Sequence, residues 1–207
     1  MWFQLLQSIP WSKVLLLLAV FFPDSFATFS RDMKRIMIIG CGGAGKSTLA
    51  RKLGGILELP LVHLDQAFWR PKWVERDKQE WEQIVTRLAD QDRWILDGNY
   101  GGTMEIRLQR ADTVVFLDRS RWLCVYRVLL RLWQTRGRTR PDMAEGCIER
   151  FSFHFLHYVF FYNKTRRPGI LRKLNQLSSK QTVFRLRTQR EIDHFIAALS
   201  GDKDGNS

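Results

Sequence analysis

Cysteine is scarce in this sequence, and no segment is repeated or of low complexity. The chain of 207 residues has three cysteines, Cys41, Cys124 and Cys147, which are widely spaced and odd in number. They fit neither a disulfide framework nor the paired spacing of a zinc site. A disulfide-stabilised secreted domain is therefore excluded, and a reducing, cytoplasmic environment is expected.

Long hydrophobic runs are also missing. The longest covers residues 14–22, well short of the roughly 20 residues that a membrane-spanning helix needs. It lies in an apolar extension, residues 1–32, which is interpreted as a membrane-associating tether, a cleaved leader or the product of a misassigned start. We favour Met33 as the natural start because it directly precedes the first predicted strand. A membrane partner is expected only if the extension is retained.

Acidic residues are outnumbered by basic ones. The sequence has 21 Asp and Glu against 33 Lys and Arg, which gives a net charge of +12. Such an excess favours polyanionic partners, namely nucleotide phosphates, nucleic acid or an acidic membrane surface, although a generally basic surface is the plain alternative. Hydrophobic residues make up 45% and charged residues 26%, a globular composition. The length fits one α/β domain with a small inserted lid.

A glycine-rich turn follows the first apolar run of this domain. Ile36-Met-Ile-Ile-Gly40 predicts a strand, and Gly40-Cys-Gly-Gly-Ala-Gly-Lys-Ser47 matches the pattern Gly-x4-Gly-Lys-Ser/Thr. Glycines let backbone N–H groups turn toward a phosphate, and the next helix directs its partly positive N-terminus at the same anion. In such loops the lysine reaches the outer phosphates and the serine hydroxyl ligates Mg²⁺. The residues expected to bind ATP are Gly40, Gly42, Gly43, Ala44, Gly45, Lys46, Ser47 and Thr48.

Strands and helices alternate after the extension, which predicts an α/β fold. We expect a three-layer P-loop NTPase fold: a parallel five-stranded sheet, helices on both faces and a small arginine-rich lid. The predicted strands are 35–39, 61–64, 93–97, 113–117 and 182–186. Helices are predicted at 46–57, around 81–88, at 103–110 and 121–135, in an aromatic-rich stretch after residue 147, and around 192–199. The domain covers 33–200, the lid about 136–147, and the tail 201–207 is expected to be disordered.

Two aspartates are predicted to close strands at the edge where ligands bind in parallel sheets. Asp97 ends Trp94-Ile-Leu-Asp and is expected to hold Mg²⁺ directly or through water, although the sequence Asp97-Gly98-Asn99 also suits a simple turn. Asp65 ends Val62-His-Leu-Asp and could orient or deprotonate an acceptor hydroxyl, or else cap the next helix. His63 is expected to be packed rather than catalytic.

Arginines are concentrated where the lid is predicted. Arg127 and Arg131 are four residues apart on one helix face, and the loop that follows contains Arg136, Arg138 and Arg140. Guanidinium groups can bridge the oxygens of a transferring phosphoryl group. The alternatives are a solvated basic face and a nucleic-acid patch. The catalytic residues predicted overall are Lys46, Asp65, Arg127, Arg131 and Arg138.

Other features of the chain belong to the acceptor side and to the lid. Trp69 and Trp73, with Arg70 and Lys72 between them, are either a stacking wall for a flat or phosphorylated acceptor or ordinary surface packing. Two glycines at the ends of the lid, Gly137 and Gly146, could serve as its hinges.

Together these segments resemble the adenylate-kinase-like branch of the P-loop kinases, and more closely the bacterial proteins labelled DNA topology modulation proteins. The resemblance covers 33–200. It depends on the glycine-rich loop and on His63-Leu-Asp, Trp69-Arg-Pro-Lys-Trp73, Ile95-Leu-Asp-Gly-Asn-Tyr100, Phe116-Leu-Asp118, Arg119-Ser-Arg-Trp-Leu-Cys124 and Gly137-Arg-Thr-Arg-Pro-Asp-Met-Ala-Glu-Gly-Cys147.

The adenylate-kinase comparison implies roles for individual residues. Asp97 matches the aspartate of an Asp-Gly-x-Pro-Arg segment, but the Pro-Arg pair is missing, and Asn99 and Tyr100 stand there. This departure argues against a nucleoside monophosphate as acceptor. Arg127 and Arg131 resemble the arginines that enter the lid, Arg107 is a candidate for the missing acceptor arginine, and the loop 187–190 would border the adenine.

These observations predict an ATP-binding phosphotransferase that uses Mg²⁺ and acts on a small-molecule or nucleotide-like acceptor. The alternative is a nucleic-acid-associated P-loop ATPase or regulator that affects DNA topology, consistent with the net charge of +12. The kinase interpretation is favoured because the arginines lie where a lid is expected.

Overall fold

The apolar run before the glycine-rich turn forms the central strand of a five-stranded parallel sheet. The computed structural model describes residues 33–135, 137, 139–178 and 181–200. Within these ranges no helix has the length and apolar character needed to cross a bilayer. The predictions for 1–32, for Arg136 and Arg138, and for 201–207 lie outside the described residues.

The regular elements follow the alternation that the sequence predicts, with one small hairpin and two short helices added. In chain order they are β1 (Arg35–Gly40), α1 (Lys46–Leu57), β2 (Leu61–His63), α2 (Leu64–Phe68), β3 (Trp69–Arg70), β4 (Val74–Glu75), α3 (Lys78–Ala89), β5 (Trp94–Asp97), α4 (Met104–Arg110), β6 (Thr113–Leu117), α5 (Arg121–Gln134), α6 (Phe153–Thr165), α7 (Arg167–Asn175), β7 (Thr182–Leu186) and α8 (Gln189–Ser200).

The order of the strands places the glycine-rich loop at the middle of the sheet. The order is β2-β5-β1-β6-β7, and every neighbouring pair is parallel. Ile38 lies beside Asp97 on one side, and Gly40 lies beside Leu117 on the other. The carboxyl ends of β1, β5 and β6 therefore meet at one edge. The predicted α/β fold with a parallel five-stranded sheet is confirmed.

The central strands are buried because helices cover both faces of the sheet. All five residues of β6 and the last five of β1 are buried, as parallel strands in a layered α/β fold require. The main core joins β1 and β6 to α1 and α8 through residues such as Leu53, Phe184 and Phe195. The cysteines are all free and buried.

One predicted strand ends earlier than the sequence pattern suggests. Leu64, predicted as a strand residue, begins α2, because β2 pairs only with β5 and ends where that partner ends, at His63 and Asp97. Asp65 therefore lies in the first turn of a helix and does not close a strand. The aromatic-rich helix ends at Thr165, and a separate helix begins beyond it with Pro168 in its first turn, where proline is tolerated.

Candidate active site

The loop between β1 and α1 has the backbone of an anion-binding cradle. Gly43 and Gly45 have positive φ angles of 80° and 100°, which glycine adopts without strain. A side chain at Gly43 would also collide with α5, because its Cβ would lie 2.5 Å from the carbonyl oxygen of Cys124. The helix α1 begins at Lys46, so its first N–H groups face the loop.

The loop is held to the neighbouring strand ends by Asn99. Its side-chain oxygen accepts a hydrogen bond from the Gly40 amide at 3.0 Å, and its Nδ2 donates to the Gly40 carbonyl at 2.7 Å and to the Tyr158 hydroxyl at 2.9 Å. The Lys46 ammonium donates to the Cys41 carbonyl at 3.2 Å, so it lies across the loop. Nothing in the sequence indicates that Asn99 holds the loop in this way.

Asp97 is buried at the end of β5 and pairs with a histidine. Its Oδ2 lies 2.8 Å from Nδ1 of His63, which is itself buried. Its Oδ1 is buried and has no hydrogen-bond partner among the described residues. Buried acceptors are nearly always satisfied, so this oxygen fits a ligand such as a cation or its bound water.

Ser47, the first hydroxyl of α1, contacts the segment that the sequence predicts as the lid, which is called the lid below. Its Oγ donates a 2.9 Å hydrogen bond to Oδ2 of Asp142, which also accepts from Nη1 of Arg140 at 2.9 Å. Burial would raise the pKa of Asp142, but the charge of Arg140, the Ser47 hydroxyl and nearby His63 outweigh it and lower that pKa. Asp142 is therefore an ionised, buried carboxylate beside the loop. Sequence reasoning missed it because it stands in a polar loop without periodicity.

Asp65 faces the same space from α2. Its Oδ1 accepts a 2.7 Å hydrogen bond from the Tyr100 hydroxyl. Burial raises the pKa of Asp65, and the Tyr100 hydrogen bond and the charge of Lys46 only partly offset it. A carboxylate with a raised pKa is a better proton acceptor than a solvated one.

The predicted arginines have different environments. The Arg127 guanidinium lies 3.5 Å from the Ala44 carbonyl of the loop and 3.5 Å from Oε1 of Gln189. Arg131 is instead paired with Glu149 at 3.2 Å, and burial lowers its pKa. Glu149 also pairs with Arg140 at 2.6 Å, so one acidic residue joins α5 to the lid.

Arg107 lies beneath the site and does not face the cavity. It is fully buried and donates to the carbonyls of Gly98 at 2.8 Å, Asn99 at 2.5 Å and Tyr100 at 3.0 Å. Burial lowers its pKa to about 9. Its three carbonyl partners fix the loop after β5, so the expectation that Arg107 replaces an acceptor-binding arginine is wrong.

The loop, the lid and the hairpin β3–β4 enclose one cavity of about 890 Å³. The lid contacts the hairpin side through Cys147 Sγ, which lies 3.3 Å from the Arg70 carbonyl, and through the Trp73 indole, which donates to the Ile148 carbonyl at 2.9 Å. The indole rings of Trp69 and Trp73 lie edge to face, 5.4 Å apart, and line this end. Gln189 and Ile192 line the opposite end, near Arg127.

The residues around the loop fit Mg²⁺ only in company with phosphates. In the part of the chain that the structure describes, no group of three or more His, Cys, Asp or Glu side chains could hold a metal by itself. Mg²⁺ commonly takes one or two protein oxygens and completes its shell with phosphates and water. The unpaired Oδ1 of Asp97 and the Ser47 hydroxyl are oxygens of this kind.

Comparison with known proteins finds a likeness of fold. No protein-family model matches the chain, and no curated protein matches it significantly. The structure of a shikimate kinase from Acinetobacter baumannii in complex with shikimate is 17% identical, with a TM-score of 0.52 over 87% of this chain and 99% of that one. A shikimate kinase from Bacteroides thetaiotaomicron is 18% identical, with a TM-score of 0.49 over 83% and 99%.

A gluconokinase from Sinorhizobium meliloti 1021 is 14% identical, with a TM-score of 0.45 over 81% of this chain and 92% of that one. At such identities a likeness concerns the fold alone, and the finer resemblance to DNA topology modulation proteins stays a prediction. The Acinetobacter match covers nearly all of that kinase. The chain therefore has the α/β fold of the P-loop kinases.

Proposed function

We propose that this protein is an ATP-dependent phosphotransferase that transfers the γ-phosphoryl group to a hydroxyl of a small acceptor molecule. The observation that carries the proposal is the placement of a phosphate-type loop and a carboxylate with a raised pKa around one cavity. Lys46 belongs to the loop, Asp65 faces it from α2, and both line the space under the lid. A protein that only binds a nucleotide has no need of a proton-accepting carboxylate such as Asp65 beside the loop.

The binding step would use the loop and α5. The loop amides and Lys46 would hold the phosphates, and Arg127, which already touches the loop at Ala44, would neutralise charge on the polyphosphate. Ser47 and Asp97 would hold Mg²⁺, which when bound supplies charge neutralisation to the β- and γ-phosphates. The lid, which contacts both the loop and the hairpin, would exclude water.

The transfer step would use Asp65 as the base. The acceptor hydroxyl gives its proton to Oδ2 or Oδ1 of Asp65 while its oxygen bonds to the γ-phosphorus, and the bond from that phosphorus to the bridging oxygen of ADP breaks. Tyr100 orients the carboxylate through its 2.7 Å hydrogen bond. Positioning of the reacting groups and electrostatic stabilisation then supply most of the rate enhancement.

The acceptor side combines aromatic rings with arginines that are mostly engaged by protein groups. Arg107 is bound to three backbone carbonyls, and Arg131 and Arg140 share Glu149. Trp69 and Trp73 offer ring surface there, and the Arg150 guanidinium lies over the Trp73 ring. The Acinetobacter kinase of the same fold was solved with shikimate, which supports a small-molecule acceptor for this chain as well.

The experiment is an acceptor screen. Purified protein is incubated with Mg²⁺, ATP and each of a panel of sugars, polyols, nucleosides and nucleoside monophosphates, and ADP release is measured. We expect release to depend on one class of acceptor and to fall about 10² to 10³-fold in Lys46→Ala. Lys164→Ala, an exposed lysine away from the cavity, is the matched control. ADP release that no acceptor stimulates and that Lys46→Ala leaves unchanged would contradict the proposal.

A nucleic-acid-associated ATPase remains the second candidate because the net charge is +12. This function requires an affinity for DNA or RNA that falls steeply as the salt concentration rises. DNA-stimulated ADP release without any acceptor would favour it over the kinase.

A further inference from the structure

The strongest feature that the proposed function does not use is the lid carboxylate of Asp142. Its side chain reaches the phosphate loop, where Ser47 Oγ donates to its Oδ2 at 2.9 Å. The residue is only 9% exposed, although it belongs to an otherwise polar loop. A buried anion at this place is unexpected, because the loop is built to receive the negative charge of phosphates.

The lid holds Asp142 there by several independent contacts. Arg140 donates to the same oxygen at 2.9 Å and pairs with Glu149 at 2.6 Å, so its guanidinium is fixed on two sides. The neighbouring Pro141 carbonyl accepts from Nε2 of Gln66 at 2.5 Å, which ties the lid to α2. The position of Asp142 is therefore set by the surrounding framework.

A second unusual oxygen lies in the same part of the site. Oδ1 of Asp97 is buried without a partner, while Oδ2 of that residue is 2.8 Å from His63. Asp97, Asp142 and Ser47 all line the same cavity. An unpaired oxygen, a lid carboxylate and a hydroxyl thus converge beside the loop from β5, the lid and α1.

Oxygen atoms of these types are the ligands that Mg²⁺ prefers. Two carboxylates and a polyphosphate would repel one another in a closed site unless a cation were shared among them. Arg140 neutralises part of this charge, but it already serves Glu149 as well. A divalent cation among Ser47, Asp97 and the phosphates would turn the repulsion into attraction.

We infer that Asp142 is a ligand, direct or through one water molecule, of the Mg²⁺ that accompanies ATP, so that the lid supplies part of the metal site. This inference rests on the proposed function, since it needs a nucleotide in the loop. Its consequence is a coupling: the metal favours the closed lid, and the closed lid strengthens metal binding.

The test measures metal affinity and not activity. The full chain is titrated with Mn²⁺ in the presence of a non-hydrolysable ATP analogue, and free Mn²⁺ is followed by electron paramagnetic resonance. We expect Asp142→Asn to weaken Mn²⁺ binding about tenfold or more, as the loss of ligands or their supports usually does. The matched control is Glu145→Gln, which removes an exposed carboxylate from the same loop and should leave Mn²⁺ affinity unchanged.

Mn²⁺ affinity in Asp142→Asn equal to that of the wild type would overturn the inference. If the analogue also bound more tightly to this variant in EDTA, Asp142 would be a group that the nucleotide displaces from the loop. If the wild type bound no analogue with or without Mn²⁺, the proposed function itself would fail, and this result is distinct from an unchanged metal affinity.

Folding of the variant is checked by circular dichroism and thermal melting. Should Asp142→Asn not fold, Asp142→Glu takes its place, because it keeps a charged partner for Arg140 while moving the carboxylate oxygens by one methylene group. A several-fold change in Mn²⁺ affinity of this variant supports the inference, and an unchanged affinity overturns it.

Discussion

The hydroxyl of Tyr100 donates a 2.7 Å hydrogen bond to the carboxylate of Asp65, which lies 35 positions earlier in the chain. Tyr100 occupies the left-handed region with φ 34°, an uncommon conformation for a residue other than glycine. Asp65 comes from α2 and Tyr100 from the loop after β5. This bond therefore joins the two segments that flank the predicted acceptor site.

The first prediction concerns the pH dependence of transfer. A base must be deprotonated, so activity should rise with pH through the pKa of Asp65, which burial raises above the usual carboxyl range. Tyr100→Phe removes a hydrogen bond that lowers this pKa, so the acidic limb of the kcat/KM profile should move to higher pH. Asp65→Asn should lower kcat about 10² to 10⁴-fold with little change in the KM for ATP. An unmoved acidic limb in Tyr100→Phe would contradict the role of Asp65.

The second prediction compares two glycines. Gly43→Ala should weaken ATP binding about tenfold or more, because the new Cβ would meet the Cys124 carbonyl at 2.5 Å and φ is 80° there. Gly55→Ala, at an exposed position inside α1 with no atom within 4 Å, should stabilise the protein by about 0.5–1 kcal/mol. Isothermal calorimetry and chemical unfolding measure the two effects. Equal ATP affinity in both variants would show that the loop tolerates a side chain.

The third prediction concerns a carboxylate held by two arginines. Asp118 accepts from Arg167 at 2.7 Å and 3.1 Å and from Arg185 at 2.8 Å and 2.6 Å, tying β6 to α7 and β7. Burial raises the pKa of Asp118, but both arginines outweigh it and the net pKa is lowered. The folded pKa then lies below the unfolded one, near 4. The stabilisation is therefore present above pH 4 and is lost as pH falls through the folded pKa.

Asp118→Asn should lower the free energy of unfolding at pH 7 by about 1–2 kcal/mol, a value reduced for solvent screening because both arginines are partly exposed. The difference from the wild type should shrink below about pH 4. Asp92→Asn removes a fully exposed partner of Arg35 and should change stability by less than about 0.5 kcal/mol. Urea unfolding at several pH values measures both, and a loss that does not vary with pH would contradict the ion-pair explanation.

The fourth prediction separates a structural from a binding role for Arg107. Arg107→Met should lower the free energy of unfolding by about 3 kcal/mol, because three carbonyls around a fully buried guanidinium lose their donor. The KM for the acceptor should stay within a few-fold in whatever fraction remains folded. Unchanged stability with a greatly raised acceptor KM would restore the role in acceptor binding that the sequence suggested.

Local pattern predicted much of the fold. The bounds of α1 at 46–57, β6 at 113–117 and β7 at 182–186 agree with the sequence analysis. The two strands are short apolar runs with clear ends, as is typical of a parallel sheet. The helix α1 begins directly after a glycine-rich turn, which marks its start. The hairpin β3–β4 was missed because its strands have two residues each, too few to show any period.

The pattern Gly-x4-Gly-Lys-Ser/Thr by itself determined the glycine turn that opens α1 and predicts a phosphate site there, because adjacent residues supply the turn, the amides and the lysine. Only the tertiary structure decided which distant side chains serve that loop. Ser47 and Asp142 are 95 positions apart, Gly40 and Asn99 are 59 apart, and His63 and Asp97 are 34 apart. No local period relates such residues; parallel strand order and the path of the lid bring them together at one edge of the sheet.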